Sequence, residues 1–118
     1  MKKLLLFILL TNSAFANFLS GTVSLSNEKK VEGVLYIFAK KENSRMPVVV
    51  KRINNPVYPQ KFRLTEDDKM IKNIPFIGPF IITARISPSG GVMDKSGVEV
   101  SSKGLVKLGT KDIDLNLK

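Results

Sequence analysis

The stretch from Gly33 to Arg52 constrains the fold more than any other. Val34-Leu35-Tyr36-Ile37-Phe38-Ala39 is apolar at every position, so it is apolar on both side-chain faces of an extended strand. A strand of that kind must be covered on both sides, which places it in the middle of a sheet packed on another layer. The polar break Lys40–Arg45 and the second run Met46-Pro47-Val48-Val49-Val50 come next, ending in Lys51-Arg52. Two β-branched runs around a short hydrophilic break predict a β-hairpin.

The rest of the chain reads as short strands and turns. Leu19, Gly21, Val23 and Leu25 alternate with Ser20, Thr22 and Ser24, a half-buried strand leading to a turn at Asn27–Lys30. Asn54-Asn55-Pro56 breaks the chain after the hairpin. Pro59 opens a strand with Phe62 and Leu64 inward and Lys61, Arg63 and Thr65 outward. Thr65 before Glu66-Asp67-Asp68 is a helix N-cap with an acidic first turn, and Pro75, Gly78 and Pro79 limit that helix to a turn or two. Phe80, Ile82, Ala84 and Ile86 alternate with Ile81, Thr83, Arg85 and Ser87 up to the turn Pro88–Gly91. Val98–Val100 and Ile113–Leu117 complete the set, with Leu105–Leu108 set off by Gly104 and Gly109. The prediction is an all-β fold: an antiparallel, immunoglobulin-like β-sandwich of about seven or eight strands over 17–118, held without disulfides.

Residues 1–16 read separately. Met1-Lys2-Lys3, the apolar run Leu4–Leu10 and Ala14-Phe15-Ala16 have the pattern of a secretory signal cleaved after Ala16. The run is too short for roughly 30 Å of hydrocarbon, which takes about 20 residues, so no stable membrane anchor is expected. No cysteine lies after it to carry a lipid. The expected location is the periplasm.

The formal charge is +9, of which Lys2 and Lys3 contribute two. A basic domain attracts acidic partners, but export removes it from nucleic acid. Most lysines sit singly or in pairs beside turns, where they serve solubility and edge protection.

The chain contains no histidine and no cysteine, which eliminates serine–histidine and cysteine–histidine nucleophiles and the usual zinc, blue-copper and iron–sulfur ligand sets. The Glu66–Asp68 cluster lacks the ladder of a calcium loop, and no second carboxylate faces it as glycoside hydrolysis requires. No enzyme activity, metal or cofactor is expected. Met46, Met70 and Met93 are read as core or loop filling. Arg85, on the outward face of its strand, is expected to pair with Asp67 or Asp68, or else to mark a binding surface.

Taken in order, these segments resemble a known family. Leu35–Lys40 with Arg45–Arg52, Pro59–Leu64, Asp67-Asp68-Lys69-Met70 and Ala84-Arg85-Ile86-Ser87-Pro88-Ser89-Gly90 are similar to successive motifs in the C-terminal periplasmic domain of the c-type cytochrome biogenesis factor CcmI (CycH). Ser96-Gly97-Val98-Glu99 departs from the glycine-aspartate segment usual there, and a secretory leader stands where the family has transmembrane helices and helical repeats. The resemblance implies an immunoglobulin-like fold, an envelope location and a non-catalytic part in c-type cytochrome maturation, with a maturation protein or apocytochrome as partner. Asp67, Asp68, Met70, Arg85, Ser87 and Ser89 fall on its motif positions and form the candidate protein-binding surface. The alternative is a general envelope or adhesion sandwich that binds a glycan or a secreted protein.

Overall fold

The computed structural model describes residues 17–26 and 33–117. The leader read over 1–16 and the turn at 27–30 lie outside them. Among the described residues there are seven strands: β1 (Leu19–Leu25), β2 (Val34–Lys40), β3 (Pro47–Ile53), β4 (Gln60–Leu64), β5 (Ile81–Ser87), β6 (Glu99–Ser101) and β7 (Ile113–Leu117). They form a three-stranded sheet, β4-β1-β7, and a four-stranded sheet, β3-β2-β5-β6. Leu105–Leu108 adds no strand; it contributes one bridge, Val106 to Phe80.

The expected hairpin is present, with β2 paired to β3 from Leu35↔Ile53 to Lys40↔Pro47 and an irregularity between Ala39 and Lys40. Pro47 has no N–H to give the ladder, so it fits at the first position of its strand beside that irregularity. On its other side β2 pairs with β5 over its whole length, Val34↔Ser87 to Lys40↔Ile81. The doubly apolar strand is thus flanked on both edges, as its composition demands.

One pairing departs from an antiparallel arrangement. β1 runs antiparallel to β4 but parallel to β7, from Gly21↔Ile113 to Leu25↔Leu117. Gly21 makes the approach possible: a Cβ there would lie 2.1 Å from the carbonyl oxygen of Ile113, well inside contact distance. Alternation tells which side chains face inward and says nothing of the direction of the neighbouring strand.

The inward rows pack face to face. Leu19 and Val23 of β1, Phe62 and Leu64 of β4, and Ile113, Leu115 and Leu117 of β7 meet Leu35, Ile37 and Ala39 of β2 and Ile82, Ala84 and Ile86 of β5. Phe76 and Phe80, with ring centroids 5.4 Å apart, join this core from the segment before β5. At roughly 1.5–3 kcal/mol for each large side chain, burial of this set is the main favourable term in folding.

Tyr36 and Phe38 lie on the other face of β2. They are buried, yet they are not members of the core cluster. Among the described residues no third layer of strands covers them. Arginines do: the Arg52 guanidinium lies 5.6 Å from the Tyr36 ring centroid and that of Arg85 lies 4.9 Å from the Phe38 centroid. Arginine stacks on aromatic faces in this way while its charged edge stays hydrogen-bonded.

Candidate functional site

The outer face of the four-stranded sheet is set out in cross-strand rows. Register places Val50, Phe38, Thr83 and Ser101 in one row and Arg52, Tyr36, Arg85 and Glu99 in the next. Side chains directly opposite one another across strands are close enough to interact. Arg85 Nε donates to Glu99 Oε1 at 3.0 Å, and Thr83 and Ser101 hydroxyls share a hydrogen bond of 2.8 Å. Glu99 is therefore the partner of Arg85. The pairing with Asp67 or Asp68 expected from sequence is not formed, because both acids lie at the far edge of the sheet, beyond β3. Asp68 instead pairs with Lys51 of β3 at 3.1 Å.

Two loops are fastened onto this face. The segment 88–97 is held from beneath by Arg85 Nη1, which donates to the Val92 carbonyl at 3.2 Å, and by the Tyr36 hydroxyl, which donates to the Gly90 carbonyl at 2.7 Å. Within the loop, Asp94 accepts from the Ser96 hydroxyl (2.7 Å), the Ser96 amide (3.0 Å) and the Ser89 amide (3.1 Å). These hydrogen bonds, those from Ser96 foremost, hold the Asp94 carboxyl well below its ordinary range. Gly97 closes the loop; a Cβ there would be 2.0 Å from the Ile86 carbonyl oxygen, so only glycine lets the chain return alongside β5.

The second loop starts from the predicted cap. Thr65 and Asp68 form a reciprocal capping box on the 3-10 turn Glu66–Asp68: Asp68 Oδ2 accepts from the Thr65 amide at 2.9 Å, and the Thr65 hydroxyl accepts from the Asp67 amide at 3.2 Å. The chain then runs along β3, with a Lys69–Val49 bridge and the Met70 amide donating to the Val48 carbonyl at 3.1 Å.

Between these loops and the hairpin end lies a groove of about 580 Å³. Phe38, Val50, Thr83 and Arg85 form its floor, and Met46, Met70, Val92 and Met93 line it from three separate segments. Met46, Met70 and Met93 are 50%, 53% and 77% exposed, so of the two readings, core or loop filling, the core one does not hold. Lys40, Arg45 and Lys95 also line the groove, and the acid there, Glu99, is already paired with Arg85.

The six residues singled out from sequence divide accordingly. Met70 and Arg85 line the groove. Ser87 and Ser89 shape its 88–97 wall, the Ser87 hydroxyl donating to the Gly91 carbonyl at 2.7 Å and the Ser89 hydroxyl accepting from the Gly91 amide at 3.3 Å. Asp68 fixes the turn that leads to Met70, while the Asp67 side chain stays exposed outside the groove. Sequence reasoning missed Met46, Val92, Met93, Arg45 and Lys95. The available signal was apolar residues sitting in turns, Met46 beside the hairpin break and Val92-Met93 after a Ser-Gly-Gly turn, where a core role has no strand to support it.

Among the described residues, no group of three or more Asp or Glu side chains could hold a metal ion, and no helix is long and apolar enough to cross a membrane. Tyr58 lies outside the groove; burial pushes its phenol pKa up, and among the described residues its hydroxyl has no hydrogen-bond partner.

Two stacked sheets of three and four short strands, carrying loops that frame one outer face, define an immunoglobulin-like β-sandwich. Residues 19–117 match the cytochrome c-type biogenesis protein H Ig-like domain, and the chain belongs to that family. It is also similar to an uncharacterized protein of Aquifex aeolicus (strain VF5), 39% identical over 64 residues, which are 52% of this chain and 43% of that one. The match thus spans less than half of that relative's length. No solved structure matches the chain.

Proposed function

We propose that this domain is a non-catalytic binding module of the periplasm that assists c-type cytochrome maturation by holding a polypeptide partner, an apocytochrome or another maturation protein. The observation that carries this reading is the groove on the outer face, where exposed methionines from three segments surround an apolar floor. Methionine is flexible and polarizable, and it serves surfaces that must accept varied apolar side chains. Membership of the cytochrome c-type biogenesis family supports the pathway. The leader-like pattern of 1–16 supports the compartment. A chain without histidine or cysteine has few groups for covalent or acid–base work, in keeping with a gripping role.

A glycan-binding role has less support. Sugars stack on open aromatic faces, and the ring in the floor, Phe38, is 7% exposed beneath Arg85.

The test is genetic. Deleting the gene is expected to lower holo-cytochrome c in the envelope, with restoration by the wild-type chain but not by a stably folded Met46→Asp, Met93→Asp double variant. Normal cytochrome content in the deletion strain would refute the assignment.

A further inference from the structure

The charges around the groove say more about its occupant than the apolar floor does. Arg45 and Lys95 are exposed at its rim and Lys40 is half-buried beside them, while Glu99 is neutralised by Arg85. Among the described residues no ion pair holds Lys40, Arg45 or Lys95, so the groove presents three cations around a set of thioethers, while the Asp94 carboxylate beside Lys95 is turned into its own loop by Ser89 and Ser96. Resting on the binding role proposed above, we infer that the groove takes an acidic, apolar polypeptide segment. A large aliphatic or aromatic side chain seats among Met46, Met70 and Met93, and flanking carboxylates meet Arg45 and Lys95.

Charge complementarity selects this occupant over the others. A second copy of the exported domain, +9 less Lys2 and Lys3, would bring a further net +7 against the same cations. The chain's own Met1–Leu10 segment carries Lys2 and Lys3 and no acid, so it is repelled as well. An anionic bilayer would satisfy the cations but is flat, whereas the apolar surface here is recessed between the hairpin end and the 88–97 loop. An extended or helical peptide can lower one side chain into such a recess and keep its carboxylates at the rim. Arg85 is excluded from pairing with the incoming acid: its charge is committed to Glu99, the Val92 carbonyl and the Phe38 ring.

The experiment uses the purified protein and two dye-labelled peptides, one alternating Glu with Leu and Phe, the other with Lys in place of every Glu. The acidic peptide is expected to raise fluorescence anisotropy and the basic one is not. Affinity should fall as salt is raised from low to physiological strength, since rim charges are screened over about 8–10 Å. Arg45→Glu combined with Lys95→Glu should weaken the acidic peptide by roughly tenfold or more and favour the basic one. Met93→Ala should weaken it roughly fivefold with an unchanged circular dichroism spectrum. Equal binding of both peptides, binding of neither, or affinity indifferent to these substitutions would overturn the inference. So would adsorption to phosphatidylglycerol vesicles with no peptide binding, or self-association that Met93→Ala abolishes. If peptide binding fails while the deletion strain still lacks holo-cytochrome, the inference falls and the maturation role stands. If the peptide binds and cytochromes are normal, the groove is read correctly and the pathway is not.

Discussion

The Arg85 guanidinium lies 4.9 Å from the centroid of Phe38 while its Nε donates to Glu99 at 3.0 Å. One side chain thus covers Phe38 on the outer face of β2, neutralises an acid on β6 and, through the Val92 carbonyl, fixes a wall of the groove. Its side chain is 12% exposed, so these interactions are partly desolvated and worth more than a surface pair.

Arg85→Ala is expected to cost about 1–3 kcal/mol, combining the stacking with charge-assisted hydrogen bonds. Glu99→Gln should cost less, within about 1 kcal/mol, because the glutamate is 42% exposed. Urea unfolding of both variants checks the order; equal losses would mean that the ion pair, not the stacking, dominates.

Gly97→Ala should be among the more damaging single substitutions outside the core. Its Cβ would sit 2.0 Å from the Ile86 carbonyl oxygen, and the obstructing atom is backbone that cannot rotate aside. A loss of roughly 2–4 kcal/mol in thermal unfolding is expected, against a few tenths for Gly104→Ala, where a Cβ meets nothing within 4 Å.

Phe80→Ala removes a fully buried ring that packs on Phe76 and precedes β5. Its cost should be about 3–5 kcal/mol, with Phe80→Leu retaining more than half of the lost stability. Denaturant midpoints for the two variants decide this.

The 88–97 loop is expected to respond to acid through Asp94. Asp94 has a carboxyl held below its ordinary value of 3.8 by Ser96 and Ser89. The unfolded chain therefore binds the proton more readily, so this contribution to stability is complete above 3.8 and declines as pH falls toward the depressed folded value. Amide chemical shifts of Ser89 and Ser96 report the folded carboxyl, so they should stay constant through the ordinary carboxylate range and move only as pH approaches the depressed folded value. In Asp94→Asn that movement should vanish, and the acidic peptide should bind more weakly because Val92 and Met93 lose their support.

Much of the fold is legible in the residues, and the limits have physical causes. The doubly apolar β2, the alternating β5 and β7, and the Thr65 cap arise from side-chain periodicity and local hydrogen-bonding chemistry, which are properties of neighbouring positions. The parallel β1·β7 pair and the Arg85–Glu99 bridge depend on which strands become neighbours in space, and alternation carries no such label. The groove was hidden for the same reason. Met46, Met70 and Met93 are far apart in sequence, and only the folding of three connections onto one sheet face gathers them.

Lys69 and Met70 lie along the outer margin of β3, where the Met70 amide occupies the Val48 carbonyl and Lys69 bridges Val49. That margin is already partly clothed by the protein's own backbone, so a visiting chain gains little there by extending the ladder as an added strand. Discrimination among visitors then rests on their side chains, and sequence changes in a partner should register far more strongly than changes in its backbone conformation.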